Sequence, residues 1–161
     1  MKKIIVLLIL SLIAFEISCT KDYTPQIPTG RVIPLKVDQA SERDILTLNP
    51  QEIVNLYFQS WKDGKYEIMH SLISDDFKKN EPSAKTFEEF KNHLNLIYAK
   101  VKSVDLIDSS ISSQEEKKAS VTYKLEIEYN DKTRRVFTSS YNLSKTLSGW
   151  KIDNPYGGKN G

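Results

Sequence analysis

Six aromatic side chains are the residues of this sequence best suited to line a binding or reaction site. They are Tyr57, Trp61, Tyr98, Tyr123, Tyr141 and Trp150. Aromatic rings form the walls of many small-molecule pockets, and a phenol hydroxyl can donate a hydrogen bond to a ligand. Because acid–base catalysis also needs a positioned carboxylate or imidazole, these rings alone predict either the lining of a pocket or an aromatic core.

His70 and His93 are the only imidazoles in the chain. Each lies beside apolar residues on a predicted helix, so we expect both at the boundary of the core, with a catalytic or ligand role as the alternative. The acidic residues of the predicted strands fall mainly on the face opposite the aromatic ones. No catalytic residue is therefore predicted, and no cofactor is implied.

The charge balance argues against some classes of partner. Lys and Arg number 23 against 21 Asp and Glu, which gives a formal net charge of +2 over 161 residues. This provides no basic field for nucleic-acid phosphates. A single cysteine permits no intramolecular disulfide, and the sequence has no Cys/His cluster for a structural zinc. We expect one globular domain with appended segments, held by its apolar core and without a metal.

The only cysteine, Cys19, lies where a secretory signal ends. Met1 is followed by two lysines, residues 4–15 are almost entirely apolar, and Ser18 directly precedes the cysteine. The apolar run is shorter than the roughly 20 residues that a membrane-spanning helix requires. Residues 1–18 are therefore predicted to be a signal peptide.

This junction resembles the lipobox of bacterial lipoproteins, although Glu16 stands where a lipobox usually has Leu. In that family the cysteine receives a diacylglyceryl group and becomes the first residue of the mature chain. The resemblance implies that Cys19 is the lipid attachment site and that the protein is anchored on the extracytoplasmic face of the cell membrane. The alternative is an ordinary secretory signal that is cut nearby, with Cys19 lost or left as a free thiol.

Residues 19–48 are predicted to be an extended tether, because Pro25, Pro28 and Pro34 disfavour a helix. Within it, residues 31–37 have the composition of a strand and could dock on a sheet edge, since Pro34 excludes a central position. The folded domain is predicted over residues 49–156, with a flexible tail at residues 157–161.

Three amphipathic helices are predicted at the start of this domain. The first begins after Asn49, with Pro50 at its first position and Glu52 completing a capping box, and it is broken at Gly64. The second covers residues 65–73 and is followed by a polar loop at residues 74–85. The third opens with a capping box at Thr86, and its apolar residues, including Phe90, Leu94 and Ile97, lie on one side.

The hydrophobic period then changes from 3.6 to 2, which predicts antiparallel strands at residues 101–107, 119–129, 133–145 and 150–153. Residues 119–129 alternate strictly, with Ala119, Val121, Tyr123, Leu125, Ile127 and Tyr129 on one face. Phe137 is expected on the same inward side. Helices first and a strand meander afterwards predict an α+β domain with the helices on one face of the sheet.

Three segments of the chain carry a second resemblance: "PQEIVNLYFQSWKDGKYEIMHSLIS", "TFEEFKNHLNLIY" and the closing "SGWKID". Together they resemble the N-terminal domain of the methicillin-resistance type of penicillin-binding protein. That domain has a cone-shaped, nuclear-transport-factor-2-like (cystatin-like) fold, in which three N-terminal helices pack on a curved antiparallel sheet. The resemblance implies a non-catalytic, membrane-proximal module. The Ser-x-x-Lys, Ser-x-Asn and Lys-Thr-Gly motifs of the transpeptidase itself do not occur here in a matching arrangement.

Two classes of function follow from these patterns. The first is a lipid-tethered binding or spacer module of the cell envelope, which would contact an envelope protein or a wall component. The second is a pocket protein of the same fold, which would bind or transform an apolar small molecule as isomerase-like and dehydratase-like members do. Fold alone does not decide between them.

Overall fold

The computed structural model describes residues 42–157, so the predicted signal peptide, Cys19, most of the predicted tether and the last four residues lie outside the described part. The helices are α1 (Glu42–Thr47), α2 (Pro50–Lys62), α3 (Tyr66–Ser71), α4 (Asp75–Asn80) and α5 (Phe87–Ile97). The strands are β1 (Val101–Gln114), β2 (Lys118–Tyr129), β3 (Arg134–Thr146) and β4 (Gly149–Ile152). Among these helices, none combines the length and apolarity needed to cross a membrane.

Helices α2 and α5 begin at the predicted capping boxes. The Asn49 side chain accepts a hydrogen bond from the backbone N–H of Glu52, and the Glu52 carboxylate accepts one from the N–H of Asn49. Thr86 and Glu89 make the same reciprocal pair at the start of α5. Each box satisfies backbone donors that the first turn of a helix leaves free.

Two predictions for the helical region are wrong. Residues 42–47 were expected in an extended tether, but they form α1. The predicted polar loop at residues 74–85 contains α4 and a short 3-10 helix, Pro82–Ala84. Ser74 caps α4 by accepting a hydrogen bond from the N–H of Phe77. These short helices lack a long apolar stripe, and their form depends on capping and on packing against the rest of the domain.

The four strands form one antiparallel sheet in the order β1-β2-β3-β4. Strand β2 buries Ala119, Val121, Tyr123 and Leu125, which confirms the predicted alternation. Strand β1 extends to Gln114, seven residues beyond its predicted end. Its pairing with β2 shifts register at three places, and such irregularities interrupt the period-2 pattern and bend the strand.

The core lies between the sheet and helices α2, α3 and α5. Helix α2 contacts β1, β2 and β4, so it lies across the inner face of the sheet. Its most deeply buried apolar residues are Ile53, Val54, Leu56, Tyr57 and Phe58. A polar bridge fixes α2 on β1: the Gln51 amide donates to the Ser109 carbonyl at 2.7 Å, and the Ser109 hydroxyl donates to Asn55 at 2.6 Å. The architecture is the predicted α+β fold, with helices on one face of an antiparallel sheet.

Candidate functional site

Four aromatic rings meet in the interior at the level of the middle of α2. Tyr123 on β2 and Tyr141 on β3 have ring centroids 4.6 Å apart, and both contact Phe58. Tyr57 meets Tyr141 edge-on at 5.9 Å. All four side chains are buried. We call Tyr57, Phe58, Tyr123 and Tyr141 the aromatic cluster; its rings contact one another in the edge-on, tilted and stacked geometries of a packed core.

The two deepest hydroxyls of the aromatic cluster have different surroundings. Tyr141 donates a hydrogen bond to the Pro155 carbonyl at 3.0 Å. Within residues 42–157, the Tyr57 hydroxyl is buried without a hydrogen-bond partner, as is the hydroxyl of Ser60. Burial raises the pKa of Tyr57 and Tyr141 well above the usual value, so both phenols are neutral near pH 7. They can donate a hydrogen bond but are not bases at that pH.

The other predicted lining residues lie apart from the aromatic cluster or at its margin. Trp61 is half-buried, and its ring lies 4.0 Å from that of Tyr98. Trp150 is buried on β4, with the Lys145 ammonium over its ring at 5.7 Å. The six predicted residues therefore do not form one continuous surface. Two apolar residues expected to face inward are largely exposed: Ile97 at 47% and Phe137 at 40%.

The described interior contains no side-chain arrangement suited to proton transfer. Apart from tyrosines, its buried polar side chains are Ser60, Ser74 and Ser109, and no charged residue of the described part is buried. The same part contains no group of three His, Cys, Asp or Glu side chains that could hold a metal ion. The arrangement of the described interior is that of a hydrophobic core.

Both histidines lie at the boundary of the core, as expected. The His70 ring packs near Phe90 at 5.3 Å, and its Nε2 atom lies 2.8 Å from the Ala84 carbonyl. Burial lowers the pKa of His70. The His93 ring lies over Tyr156 at 4.4 Å. Their described contacts are to aromatic rings and, for His70, a carbonyl oxygen, so these contacts are structural.

A polar groove at one end of the sheet was not predicted from the sequence. Its volume is about 360 Å³, and its lining consists of Ser113, Glu115, Lys118, Ala119, Ser120, Asn142, Leu143 and Asp153. One oxygen of the Asp153 carboxylate accepts a hydrogen bond from Ser144 at 2.8 Å, and partial burial raises the pKa of this carboxyl. We call this feature the end groove; its hydroxyls, amide and charges suit a polar ligand or partner.

The end groove draws on three strands and on the residue that follows β4, which explains why sequence patterns missed it. Its residues come from the end of β1, the start of β2, the second half of β3 and the residue after β4. Because these residues are far apart in the sequence, no spacing pattern indicates that they come together. The one local signal is the charged run at residues 115–118 between β1 and β2, a pattern that is also typical of a solvated loop.

A family model matches residues 49–155 and is described as an NTF2-like N-terminal transpeptidase domain. The chain belongs to this family. The match covers the capped start of α2, all four strands and Pro155, so it includes nearly the whole described domain. It confirms the predicted nuclear-transport-factor-2-like fold and the resemblance to the N-terminal domain of penicillin-binding proteins. No curated protein sequence matches the chain.

Several solved structures match the chain, and the first of the following supports the fold. A SEC-C motif containing protein from Rhodopseudomonas palustris matches with a TM-score of 0.52 at 8% identity, over 70% of this chain and 80% of that one. An NTF2-like family protein from Streptomyces avermitilis, assigned as a dehydratase, matches with a TM-score of 0.43 at 16% identity, over 63% and 89%. An NTF2-like transpeptidase from Campylobacter jejuni matches with a TM-score of 0.40 at 16% identity, over 66% and 99%.

Proposed function

We propose that this protein is a lipid-anchored lipoprotein on the extracytoplasmic face of the cell membrane, whose folded domain is a non-catalytic binding or spacer module of the cell envelope. The aromatic cluster is the observation that supports a non-catalytic role. Its rings fill the described interior where an enzyme of this fold would hold a substrate beside a proton carrier. The family membership relates the module to penicillin-binding proteins and hence to the cell wall.

The anchoring part rests on Cys19 and the apolar run before it. One acyl chain gives marginal, reversible membrane binding, whereas the two chains of a diacylglyceryl group give a stable anchor. Anchoring would keep the domain close to the membrane surface, where wall synthesis takes place. The partner we propose is an envelope protein or a wall component.

The anchor is tested by growing cells with a labelled fatty acid. We expect label in the wild-type protein and none in Cys19→Ala, which would be released or retained as an unprocessed precursor. Ser18→Ala is the matched control, because it changes the neighbouring residue but keeps it small, and it should be labelled normally. Label in Cys19→Ala would contradict the assignment.

Contact with a wall component is tested by co-sedimentation with purified wall polymer. The end groove is a concave surface lined mainly by polar residues, so Lys118→Ala should weaken binding if the groove is the contact surface. Lys124→Ala removes an exposed lysine from the same strand outside the groove and is the matched control. Equal loss in the two variants, or no loss in either, would contradict a contact through the groove.

One observation favours the second candidate function, an apolar small-molecule pocket. The buried Tyr57 hydroxyl has no partner in the described part, and a buried hydroxyl usually finds a partner in protein, water or ligand. A panel of apolar small molecules tests this by thermal shift, because a ligand that binds the native state raises the melting temperature. The envelope-module proposal expects no shift; a compound that stabilises the wild type but not Tyr57→Phe would favour the pocket.

A further inference from the structure

Strand β3 has an open edge along most of its length. Strand β4 pairs with it only from Leu143 to Thr146. Before that point, residues 134–142 pair with β2 on one side and have no partner strand among the described residues on the other. Every residue from 134 to 140 is exposed, including Val136 at 52% and Phe137 at 40%.

The hydrogen-bonding direction along this edge follows from two observed bonds. The Asn142 carbonyl accepts from the N–H of Asp153 at 2.9 Å, so residue 142 points its backbone groups away from β2. The N–H of Lys145 donates to Lys117 on the opposite side. Because backbone groups alternate in direction along an antiparallel strand, Arg134, Val136, Thr138 and Ser140 all point their N–H and C=O groups to the open edge.

Beyond Arg135, the described edge has no proline, charged side chain or bulge, which are features by which proteins prevent strand addition. Exposed edges are usually interrupted by proline, lysine or a bulge. Residues 134–142 contain no proline or lysine, and their pairing with β2 runs without a register shift. The edge is therefore a regular, accessible template for another strand.

We propose that this edge pairs, antiparallel, with the same edge of a second copy of the chain, about a two-fold axis at Thr138. Thr138 is the midpoint of residues 134–142, so this register pairs residues 136–140 of the two copies. Val136 would lie opposite Ser140 of the copy. The alternation gives about six backbone hydrogen bonds between the two strands; Arg134 and Asn142 lie opposite each other at the ends without such a pair, because the Asn142 carbonyl already accepts from Asp153. A register centred on Val136 would give the same number of hydrogen bonds but would bring the two copies of Arg135 to diagonal neighbouring positions.

Charge and side-chain placement favour a second copy as the occupant. In the register centred on Thr138, Arg134 lies opposite Asn142 and Arg135 opposite Tyr141. The arginines of the two copies are then at opposite ends, roughly 27 Å apart for Arg134 and roughly 20 Å apart for Arg135 at about 3.4 Å per residue, so they do not repel. The two Phe137 rings become diagonal neighbours across the axis, within reach of each other, which would cover an apolar side chain that the described domain leaves exposed.

The test uses the full-length chain in mild detergent, with the oligomeric state followed by sedimentation over a range of concentrations. We expect a reversible dimer. Thr138→Lys should raise its dissociation constant by about tenfold, because it places two ammonium groups directly opposite. Gln114→Lys adds the same charge at an exposed position of β1, at the other edge of the sheet, and should leave the constant unchanged. A dimer that Thr138→Lys does not weaken would overturn the proposal.

Hydrogen exchange and crosslinking give independent readouts. The amides of Val136, Thr138 and Ser140 should exchange more slowly as the concentration rises. Fast exchange at all concentrations would mean an unpaired edge, and slow exchange in a monomer would mean that the chain's own residues, such as 31–37, cover it; both results would overturn the proposal. In a Cys19→Ser background, Thr138→Cys should form an intermolecular disulfide on oxidation and Lys124→Cys should not, because position 124 lies one strand further from the axis.

Discussion

Replacing Tyr57 with Phe should stabilise this protein, whereas replacing Tyr141 with Phe should destabilise it. Both changes remove one hydroxyl from the aromatic cluster and leave the ring in place. The Tyr141 hydroxyl donates to the Pro155 carbonyl, but the Tyr57 hydroxyl is buried without a partner among residues 42–157. The two variants therefore separate a satisfied buried hydroxyl from an unsatisfied one in the same core.

The size of each effect follows from the cost of burying polar groups. A buried hydroxyl without a partner costs about 1–3 kcal/mol, so Tyr57→Phe should raise the free energy of unfolding by about 1 kcal/mol or more. Tyr141→Phe loses one hydrogen bond and leaves a buried carbonyl unpaired, which should lower it by about 1–2 kcal/mol. The two variants should thus differ by about 2–3 kcal/mol.

Urea unfolding followed by circular dichroism measures this difference, and thermal melts provide a second measurement. A change of about 1 kcal/mol corresponds to a shift of about 4 °C for a domain of this size. The denaturant slope should be the same in both variants and the wild type, because the surface exposed on unfolding does not change. A loss of 1 kcal/mol or more in Tyr57→Phe would refute the reasoning, since it would mean that the hydroxyl has a partner such as a bound ligand.

Three further predictions concern the backbone, pH and packing. Gly149→Ala should lower the free energy of unfolding more than Gly64→Ala, because only a Cβ at Gly149 would come within 3.3 Å of the Leu46 backbone. Both glycines have positive φ, so backbone strain alone should lower it by about 1–2 kcal/mol in each variant. Equal losses in urea unfolding would contradict the close contact. Burial lowers the pKa of His70 in the folded state. The neutral side chain should therefore contribute its full stability above pH about 6.5, the ordinary pKa of histidine, and this contribution should fall as the pH drops through the lower pKa of the folded state. His70→Gln should flatten this pH dependence. Trp61→Ala should lower the free energy of unfolding by about 3 kcal/mol, the lower end of the range for a large aromatic side chain, because the ring is only half-buried. A loss below about 1 kcal/mol would show that the contacts of this ring contribute little to stability.

The parts of the structure that depend on residues close together in the sequence could be predicted from the sequence. The capping boxes at Asn49 and Thr86 fixed the starts of α2 and α5, because the side chains that satisfy the first turn are close in sequence. The strict alternation of β2 indicated its inward face correctly, since Ala119, Val121, Tyr123 and Leu125 on that face are all buried. The α+β class followed from the change of period between residues 97 and 101.

Features that depend on distant contacts could not be predicted. Strand β1 was expected to end at Ile107, because three register shifts disrupt the alternation of its apolar and polar residues. Its pairing with β2 nevertheless extends it to Gln114. Phe137 lies on the same face of β3 as the buried residues Tyr141 and Leu143, yet it is exposed, because the helices do not cover that part of the strand. The end groove could not be predicted either, because its lining is assembled from three strands and from residues outside the strands that are distant in sequence.

The mass of the N-terminal peptide of the mature protein tests the central claim most directly. After membrane extraction and proteolysis, we predict a peptide that begins at Cys19 and carries a diacylglyceryl group on its thiol. The same preparation of Cys19→Ala should yield no such peptide. A mature N-terminus at another residue, or an unmodified Cys19 in protein recovered from the membrane, would contradict the assignment of a lipid-anchored envelope module.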